Sequence, residues 1–384
     1  MIENAKATFR IGPIRPPSES NSLLLQVTEG CTWNKCKFCD LYRHSSFRIF
    51  SVESIKKDID IIAHYADLIL KHKNRDGIWD RRGIKQEMEI LAEEERSSFY
   101  VVYNWLIHGG ENVFLQDGNS LALKADRVEE VILYLRSKFP NIKRVTTYAR
   151  AETLSKITLE QFKSLKEAGL DRIHSGFESG SDKVLDLINK GVTSEQEIIA
   201  GKNIKKAGIE FSIYFMPGIG GKALSRENAL ETARVLTEIN PDYVRIRTAV
   251  IKNGTELWDA YQRREFLICS DNEKLMEIRL LIENAKGCTG SLVSDHMINL
   301  MQEITGKLDV DKETMLSSID EYFALPELNQ KMYQLARRFG MVSKLEDMEN
   351  LSTSQSRELE NICDSVNTDA DWDMMINEIM MKYI

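Results

Sequence analysis

The stretch SLLLQVTEGCTWNKCKFCD, residues 22–40, decides the fold because an apolar run passes directly into a loop that holds three cysteines. The apolar run at residues 22–27 has the length and composition of a buried strand. Cys31, Cys36 and Cys39 follow it with the spacing Cys-x4-Cys-x2-Cys. Thiolates are soft ligands that suit iron–sulfur clusters, zinc or copper(I). The stretch therefore predicts a metal site in the loop that follows the first strand.

From this strand onward, strand patterns and helical patterns alternate as far as residue 250. Strands are predicted at residues 22–27, 113–116, 144–149, 171–177, 209–216 and 243–250, and helices at 52–69, 125–139, 158–169, 183–190, 194–208 and 226–239. Successive strand–helix units pair their strands in parallel through right-handed crossovers. We therefore expect an α/β fold, a partial (β/α)6 barrel of the TIM type, with a doubly wound parallel sheet as the alternative. In both folds ligands bind at the C-terminal ends of the strands.

Two regions depart from this alternation. Residues 72–108 lengthen the first crossover, and their sequence predicts a helical insertion. Beyond residue 262 we expect no further strands, and helical patterns occupy residues 271–287 and 327–340. The expected organisation is thus a barrel domain over residues 1–262 and a helical C-terminal region over residues 263–384.

Composition and charge limit the classes of partner. The chain has 384 residues and a net charge of −8, so it gains little from counterion release and nucleic-acid binding is disfavoured. No stretch approaches eighteen consecutive apolar residues, and the N-terminal residues lack the apolar segment of a secretory signal. The scattered Cys269, Cys288 and Cys363 show no disulfide pattern. These features predict a cytoplasmic protein without a membrane span.

The residues alone leave four interpretations of the three-cysteine loop. A plant-type ferredoxin begins with the same spacing but needs a fourth cysteine nearby. A zinc site has His44 within reach in sequence as its fourth ligand. A distant cysteine, Cys269, Cys288 or Cys363, is a further candidate, closing a cluster that serves electron transfer alone. In the fourth interpretation, three cysteines hold a [4Fe–4S] cluster and leave one iron open to a small molecule.

The loop, with Phe38 just before its last cysteine and six βα units over residues 20–250, resembles the radical S-adenosylmethionine superfamily. Typical members have three residues between the first two cysteines, where this chain has four. Four phrases resemble the group described as like oxygen-independent coproporphyrinogen III oxidase: VFLQDGN (113–119), SGFESGSDKVLDLINKG (175–191), MPGIGG (216–221) and SDHMINLMQEITGKLDVDK (294–312).

The resemblance implies a [4Fe–4S] cluster on Cys31, Cys36 and Cys39, whose open iron is chelated by S-adenosylmethionine. An electron from the reduced cluster then yields a 5′-deoxyadenosyl radical, which abstracts hydrogen from a substrate. We therefore expect a radical S-adenosylmethionine enzyme with an electron donor such as flavodoxin or ferredoxin. Its substrate, a small molecule or a peptide, and its reaction subclass do not follow from the residues. The alternative is a non-catalytic zinc or iron–sulfur protein that uses the same cysteines.

Cofactor contacts are expected where strands end. Many members of the resembled superfamily bind the methionine amino group with a Gly-Gly-Glu motif at the end of the second strand. Here GGE at Gly109–Glu111 precedes that strand, so the resemblance implies Asp117, Gly118 and Asn119, which follow it, as the contacts of the amino group, although Asp-Gly-Asn is also ordinary turn sequence. Gly218 also begins a weak match to the dinucleotide fingerprint G-x-G-x-x-A. The other expected contacts are Phe38, Tyr148, Arg150 for the carboxylate, Glu178 and Ser179 for the ribose, Gly218 for the adenine, and Arg247.

Overall fold

The structure, a computed structural model, describes residues 7–13 and 15–383 and belongs to the α/β class. The chain forms two compact units that alternate along the sequence. The first comprises the residues up to Thr32 together with His44–His174 and Lys206–Glu210; the second comprises Trp33–Arg43, Ser175–Lys205 and the residues from Phe211 onward. The limits of these units do not coincide with the predicted boundary at residue 262.

The first unit contains a parallel sheet flanked by helices. Its strands are β1 (Leu23–Gln26), β2 (Thr28–Glu29), β3 (Arg48–Ile49), β4 (Asn112–Gln116), β5 (Arg144–Tyr148) and the start of β6 (Arg172–Glu178), which continues into the second unit. Its helices are α1 (Val52–Leu70), α2 (Arg81–Ile90), α3 (Glu93–Ile107), α4 (Ala125–Lys138), α5 (Ala151–Leu154) and α6 (Leu159–Ala168). Strands β1, β4, β5 and β6 pair in that order and in parallel, and β2 pairs antiparallel with β3.

Local sequence explains the first crossover. Ser51 begins α1 by accepting a hydrogen bond from the Ser54 N–H at 3.2 Å. Apolar residues then recur at helical spacing and are buried against the sheet: Ile55, Ile59, Ile62, Ala66 and Ile69. Residues 72–108 follow, and α2 and α3 occupy most of them.

The second unit contains the end of β6, then β7 (Glu210–Phe215), β8 (Tyr243–Ile246), β9 (Ser291–Val293) and β10 (Gly306–Lys307). Its helices are α7 (Asp182–Leu187), α8 (Ser194–Lys206), α9 (Gly221–Ile239), α10 (Glu256–Gln262), α11 (Asp271–Asn284), α12 (Lys312–Phe323), α13 (Glu327–Arg338), α14 (Thr353–Ser365) and α15 (Asp369–Met381). Strands β7, β8 and β9 are parallel, and β10 runs antiparallel to β9. Among the described residues, no helix combines the length and apolar character that a membrane span requires.

The expectation that strands end at residue 262 is wrong. Strand β9 pairs in parallel with β8, with Val244 opposite Leu292, and Leu292 is fully buried. Helix α11 precedes it, so the strand–helix alternation continues beyond the predicted boundary. Sequence periodicity missed both strands because three and two residues are too few to show an alternating pattern.

Candidate cofactor site

The three-cysteine loop lies between β2 and β3 and has no regular helix or strand. Cys31, Cys36 and Cys39 are all half-buried, and the Cys39 N–H donates to the Cys36 carbonyl at 3.2 Å. Three thiols on nine residues of irregular backbone are a donor set that suits an iron–sulfur cluster. Over residues 7–13 and 15–383, no three His, Cys, Asp or Glu side chains are grouped so that they could hold a metal ion.

Within the second unit, the segment that follows α7 holds the cysteine loop. The Trp33 Nε1–H donates to the Asn189 carbonyl at 2.7 Å, and the Asn189 side-chain amide donates to the Lys35 carbonyl at 3.0 Å. The Lys37 N–H donates to the Ile188 carbonyl at 2.9 Å. The backbone on both sides of Cys36 is therefore fixed by hydrogen bonds.

Phe38 is half-buried and packs against an apolar cluster, which includes Val184, Ile188, Met216, Ile219, Ala249, Ile251 and Leu257. Two residues later, Asp40 pairs with Lys252, with 2.8 Å between Oδ2 and Nζ. The residue before Cys39 is thus anchored by apolar packing. A contact between Phe38 and a cofactor stays a prediction.

After β4, Asn119 connects three segments of the first unit. Its side-chain N–H groups donate to Thr32 Oγ1 at 2.9 Å and to Thr153 Oγ1 at 2.8 Å, and its Oδ1 accepts from the Arg150 N–H at 3.1 Å. Asn119 is fully buried. Both donors of the amide are engaged, and the oxygen retains a second lone pair. Asn119, predicted as a cofactor contact, therefore holds together the loops that contain Thr32, Arg150 and Thr153.

Asp117 and the half-buried Gly118 directly follow β4, and the GGE sequence precedes that strand, as expected. The Asp117 carboxylate is buried and accepts from the Gly30 N–H at 3.4 Å. A β-carbon at Gly12 would lie 3.1 Å from the Asp117 carboxyl carbon, so the backbone of residue 12 is in close contact with this carboxylate. Asp117 therefore links the start of the cysteine loop to the end of β4.

Tyr148 and Arg150 are half-buried at the end of β5. The Tyr148 ring stacks on the buried His174 ring, with 5.9 Å between ring centroids and 28° between ring planes. The backbone of Arg150 precedes α5 and is fixed by Asn119. Sequence reasoning placed both residues at the strand end correctly but missed the contact with His174.

At the end of β6, Glu178 adopts a left-handed backbone conformation, with φ of +68°, and is buried. Lys190 Nζ lies 2.8 Å from its Oε1. Burial raises the pKa of the fully buried Glu197 well above its ordinary value, while the charge of Lys190 lowers it. Ser179 is buried, and its hydroxyl accepts from the Ser181 N–H at 3.0 Å. Lys190 and Glu197 were missed from the sequence, because no local pattern indicates that they form a charge cluster with Glu178.

The loop after β7 and the end of β8 supply the last predicted residues. Gly218 has φ of +87°, and its N–H donates to Glu277 Oε2 at 3.1 Å. Arg247 is half-buried just beyond β8. Burial, with a smaller contribution from the charge of Arg247, lowers the pKa of His296 to about 4. Glu277 was also missed from the sequence.

The other three cysteines differ from those of the loop. Cys269, Cys288 and Cys363 are buried, and burial raises the pKa of each thiol, that of Cys363 to about 11. A metal ligand must be a thiolate, so a raised pKa disfavours ligation. His44, the fourth ligand of the zinc interpretation, is exposed.

The Radical SAM superfamily model matches residues 80–233, a range that begins after the cysteine loop and ends within α9. Over these residues the chain is similar to the radical SAM superfamily. Members of this superfamily bind a [4Fe–4S] cluster and S-adenosylmethionine.

Individual relatives match the chain over different lengths. An uncharacterised methyltransferase of Pyrococcus horikoshii is 33% identical over 97 residues, which are 25% of this chain and 21% of that protein. An uncharacterised protein of Methanocaldococcus jannaschii is 25% identical over 261 residues, 67% of this chain and 72% of that protein. The cobalamin-dependent S-adenosylmethionine radical enzyme OxsB, solved with aqua-cobalamin and S-adenosylmethionine bound, has 16% identity and a TM-score of 0.46 over 94% of this chain and 54% of its own.

Proposed function

We propose that this chain is a radical S-adenosylmethionine enzyme in which Cys31, Cys36 and Cys39 hold a [4Fe–4S] cluster. The observation that carries the proposal is the contrast between the two sets of cysteines. Three half-buried thiols share one irregular loop, whereas the other three are buried and have raised pKa values. Three protein ligands leave one iron for a small molecule, which is the arrangement that S-adenosylmethionine requires.

When bound, the reduced cluster supplies the electron that cleaves S-adenosylmethionine to a 5′-deoxyadenosyl radical, which abstracts hydrogen from a substrate. The chain's own residues bind and orient the cofactor. We assign Asp117 and Asn119, with Gly118 between them, to the amino group, Arg150 to the carboxylate, Glu178 and Ser179 to the ribose, and the Gly218 backbone to the adenine. Phe38, Tyr148 and Arg247 are further proposed contacts.

Three finer assignments are also part of this proposal. The electron donor is flavodoxin or ferredoxin, and the protein acts in the cytoplasm. We also propose that the chain is related to the coproporphyrinogen III oxidase-like group, which its four phrases resemble; this relation does not fix the substrate.

Anaerobic reconstitution with iron and sulfide, followed by dithionite and S-adenosylmethionine, tests the proposal. We expect a [4Fe–4S] absorption spectrum and release of 5′-deoxyadenosine. Single Ala variants of Cys31, Cys36 and Cys39 should reduce this release to background, because each removes one iron ligand.

The matched controls are Cys269→Ala and Cys363→Ala, which remove buried thiols outside the loop. Both should retain cleavage. Loss of cleavage in Cys269→Ala equal to that in the loop variants would contradict an open iron. Stoichiometric zinc without cleavage would favour the non-catalytic metal protein instead.

A further inference from the structure

Glu277 of helix α11 is a buried carboxylate at the loop after β7, residues 216–221 (the Gly218 loop). Its side chain is fully buried. Oε2 accepts from the Gly218 N–H at 3.1 Å and from Asn228 Nδ2 at 2.7 Å. Oε1 lies 3.8 Å from the Cys269 Sγ, whose S–H donates to it. Gly218, Asn228 and Cys269 all donate to the carboxylate and all belong to the second unit.

The Gly218 loop depends on this carboxylate for its shape. The left-handed backbone at Gly218 sets the direction of its N–H, and a buried N–H without an acceptor is costly. Asn228 donates to Glu277 and also to the Met216 carbonyl at 3.3 Å. The Asn228 side chain therefore connects the start of the loop to the Glu277 carboxylate. A β-carbon at residue 218 would lie 2.9 Å from Lys274 Cγ, which leaves α11 in close contact with the loop backbone.

We infer that Glu277 is a positioning residue for S-adenosylmethionine, because it holds the Gly218 loop in the conformation whose backbone approaches the adenine. This inference rests on the proposed function. It gives helix α11, which lies beyond the last strand that the sequence predicted, a role in cofactor affinity. The partners of Glu277 named above do not include Cys31, Cys36 or Cys39. Glu277 acts through the loop, so its loss should leave cluster assembly unchanged.

The test compares Glu277→Ala and Glu277→Gln with Glu283→Gln, a matched control on the same helix. Glu283 is half-buried and pairs with Arg279 at 3.1 Å, away from the Gly218 loop partners. Three quantities are measured: iron content, the dissociation constant for S-adenosylmethionine by anaerobic equilibrium dialysis, and amide hydrogen exchange of residues 216–221 in the metal-free chain.

We expect Glu277→Ala to raise the dissociation constant roughly tenfold, because the buried Gly218 N–H loses its acceptor. Exchange in residues 216–221 should be faster, and iron content should not change. Glu277→Gln should lie between Ala and wild type, since its amide oxygen still accepts from the Gly218 N–H. Glu283→Gln should match wild type in all three measurements.

Unchanged affinity in Glu277→Ala would overturn the inference, whether or not loop exchange becomes faster. If Glu277→Ala does not fold, the same three quantities are measured in Glu277→Gln and in Asn228→Ala. These variants alter the acceptor and the donor of the 2.7 Å hydrogen bond, respectively. Failure of the wild-type chain to take up iron or bind S-adenosylmethionine is a different result. It would reject the proposed function and this inference with it, while loop exchange in the metal-free chain would still report whether Glu277 holds the loop.

Discussion

At the scale of single residues, Lys190 is a buried cation that acts on two buried carboxylates of the second unit. Its Nζ lies 2.8 Å from Glu178, and its charge also acts on the fully buried Glu197. Lys190 and Glu178 are themselves almost completely buried. A buried charge whose partner is removed costs far more than the intact pair contributes, because the remaining ion has neither water nor a counterion.

We therefore predict that Lys190→Met lowers the free energy of unfolding at pH 7 by about 3 kcal/mol. The measurement is equilibrium unfolding in urea. Glu197→Gln is the matched control, since burial favours the protonated form of Glu197 and Gln is close to that form in shape. Its effect should be less than about 1 kcal/mol. A Lys190→Met protein as stable as wild type would mean that Glu178 and Glu197 do not depend on this cation.

Whether the role of a residue could be predicted from the sequence depends on how far away its partners lie along the chain. Cys31, Cys36 and Cys39 were recognisable because their spacing is local. Lys190 lies twelve residues from Glu178, and Glu277 lies 59 residues from Gly218. Pairs of that kind form only in the folded chain, and neither Lys190 nor Glu277 carries a sequence pattern that marks it.

Among elements, α6 shows how much a local signal can predict. The sequence Thr158-x-x-Gln161 has the pattern of a capping box, and Gly169 is a residue type that commonly ends a helix. Thr158 Oγ1 accepts from the Gln161 N–H at 3.2 Å, and Gln161 Oε1 accepts from the Thr158 N–H at 3.0 Å. Gly169 has φ of +103°, a conformation in which glycine avoids the strain of a β-carbon. By contrast, β9 and β10 were missed because they are recognisable as strands only by their hydrogen bonds to neighbouring strands, which the sequence does not show.

Thr158→Ala is expected to lower the free energy of unfolding by about 1 kcal/mol, because the N–H at the third helical position loses its side-chain acceptor. Thr158→Ser keeps the hydroxyl and should recover most of that loss. Urea unfolding of the three proteins at one pH provides the comparison. Equal stability of the Ala and Ser variants would show that the capping hydroxyl contributes nothing measurable.

For the whole molecule, the repeated strand–helix order could be predicted and the division into units could not. Each strand–helix pair carries its own apolar periodicity, so the α/β class follows from local pattern. The two compact units instead alternate along the chain, and one of the points at which the chain passes between them falls within β6, between His174 and Ser175. That division is determined by contacts between residues far apart in sequence. Composition and periodicity carry no information about such contacts.

The stability of the whole chain should depend on pH through Glu277. Burial raises the pKa of its carboxyl to about 7, against hydrogen bonds from Gly218, Ser225 and Asn228 that lower it. In the unfolded chain the same carboxyl ionises near its ordinary value of 4.5. Between these two pH values the unfolded state releases a proton that the folded state retains. The stabilisation is therefore complete below pH 4.5 and is lost as the pH rises through 7.

Because several buried groups titrate, the informative quantity is the difference in unfolding free energy between Glu277→Gln and wild type at each pH. Gln cannot ionise, so this difference should shift in favour of the variant by about 3 kcal/mol between pH 4.5 and 8. Loss or gain of hydrogen bonds in the variant adds an offset that does not vary with pH. Urea unfolding at half-unit intervals measures the slope directly. A difference that stays constant across this range would show that Glu277 does not change its protonation state there.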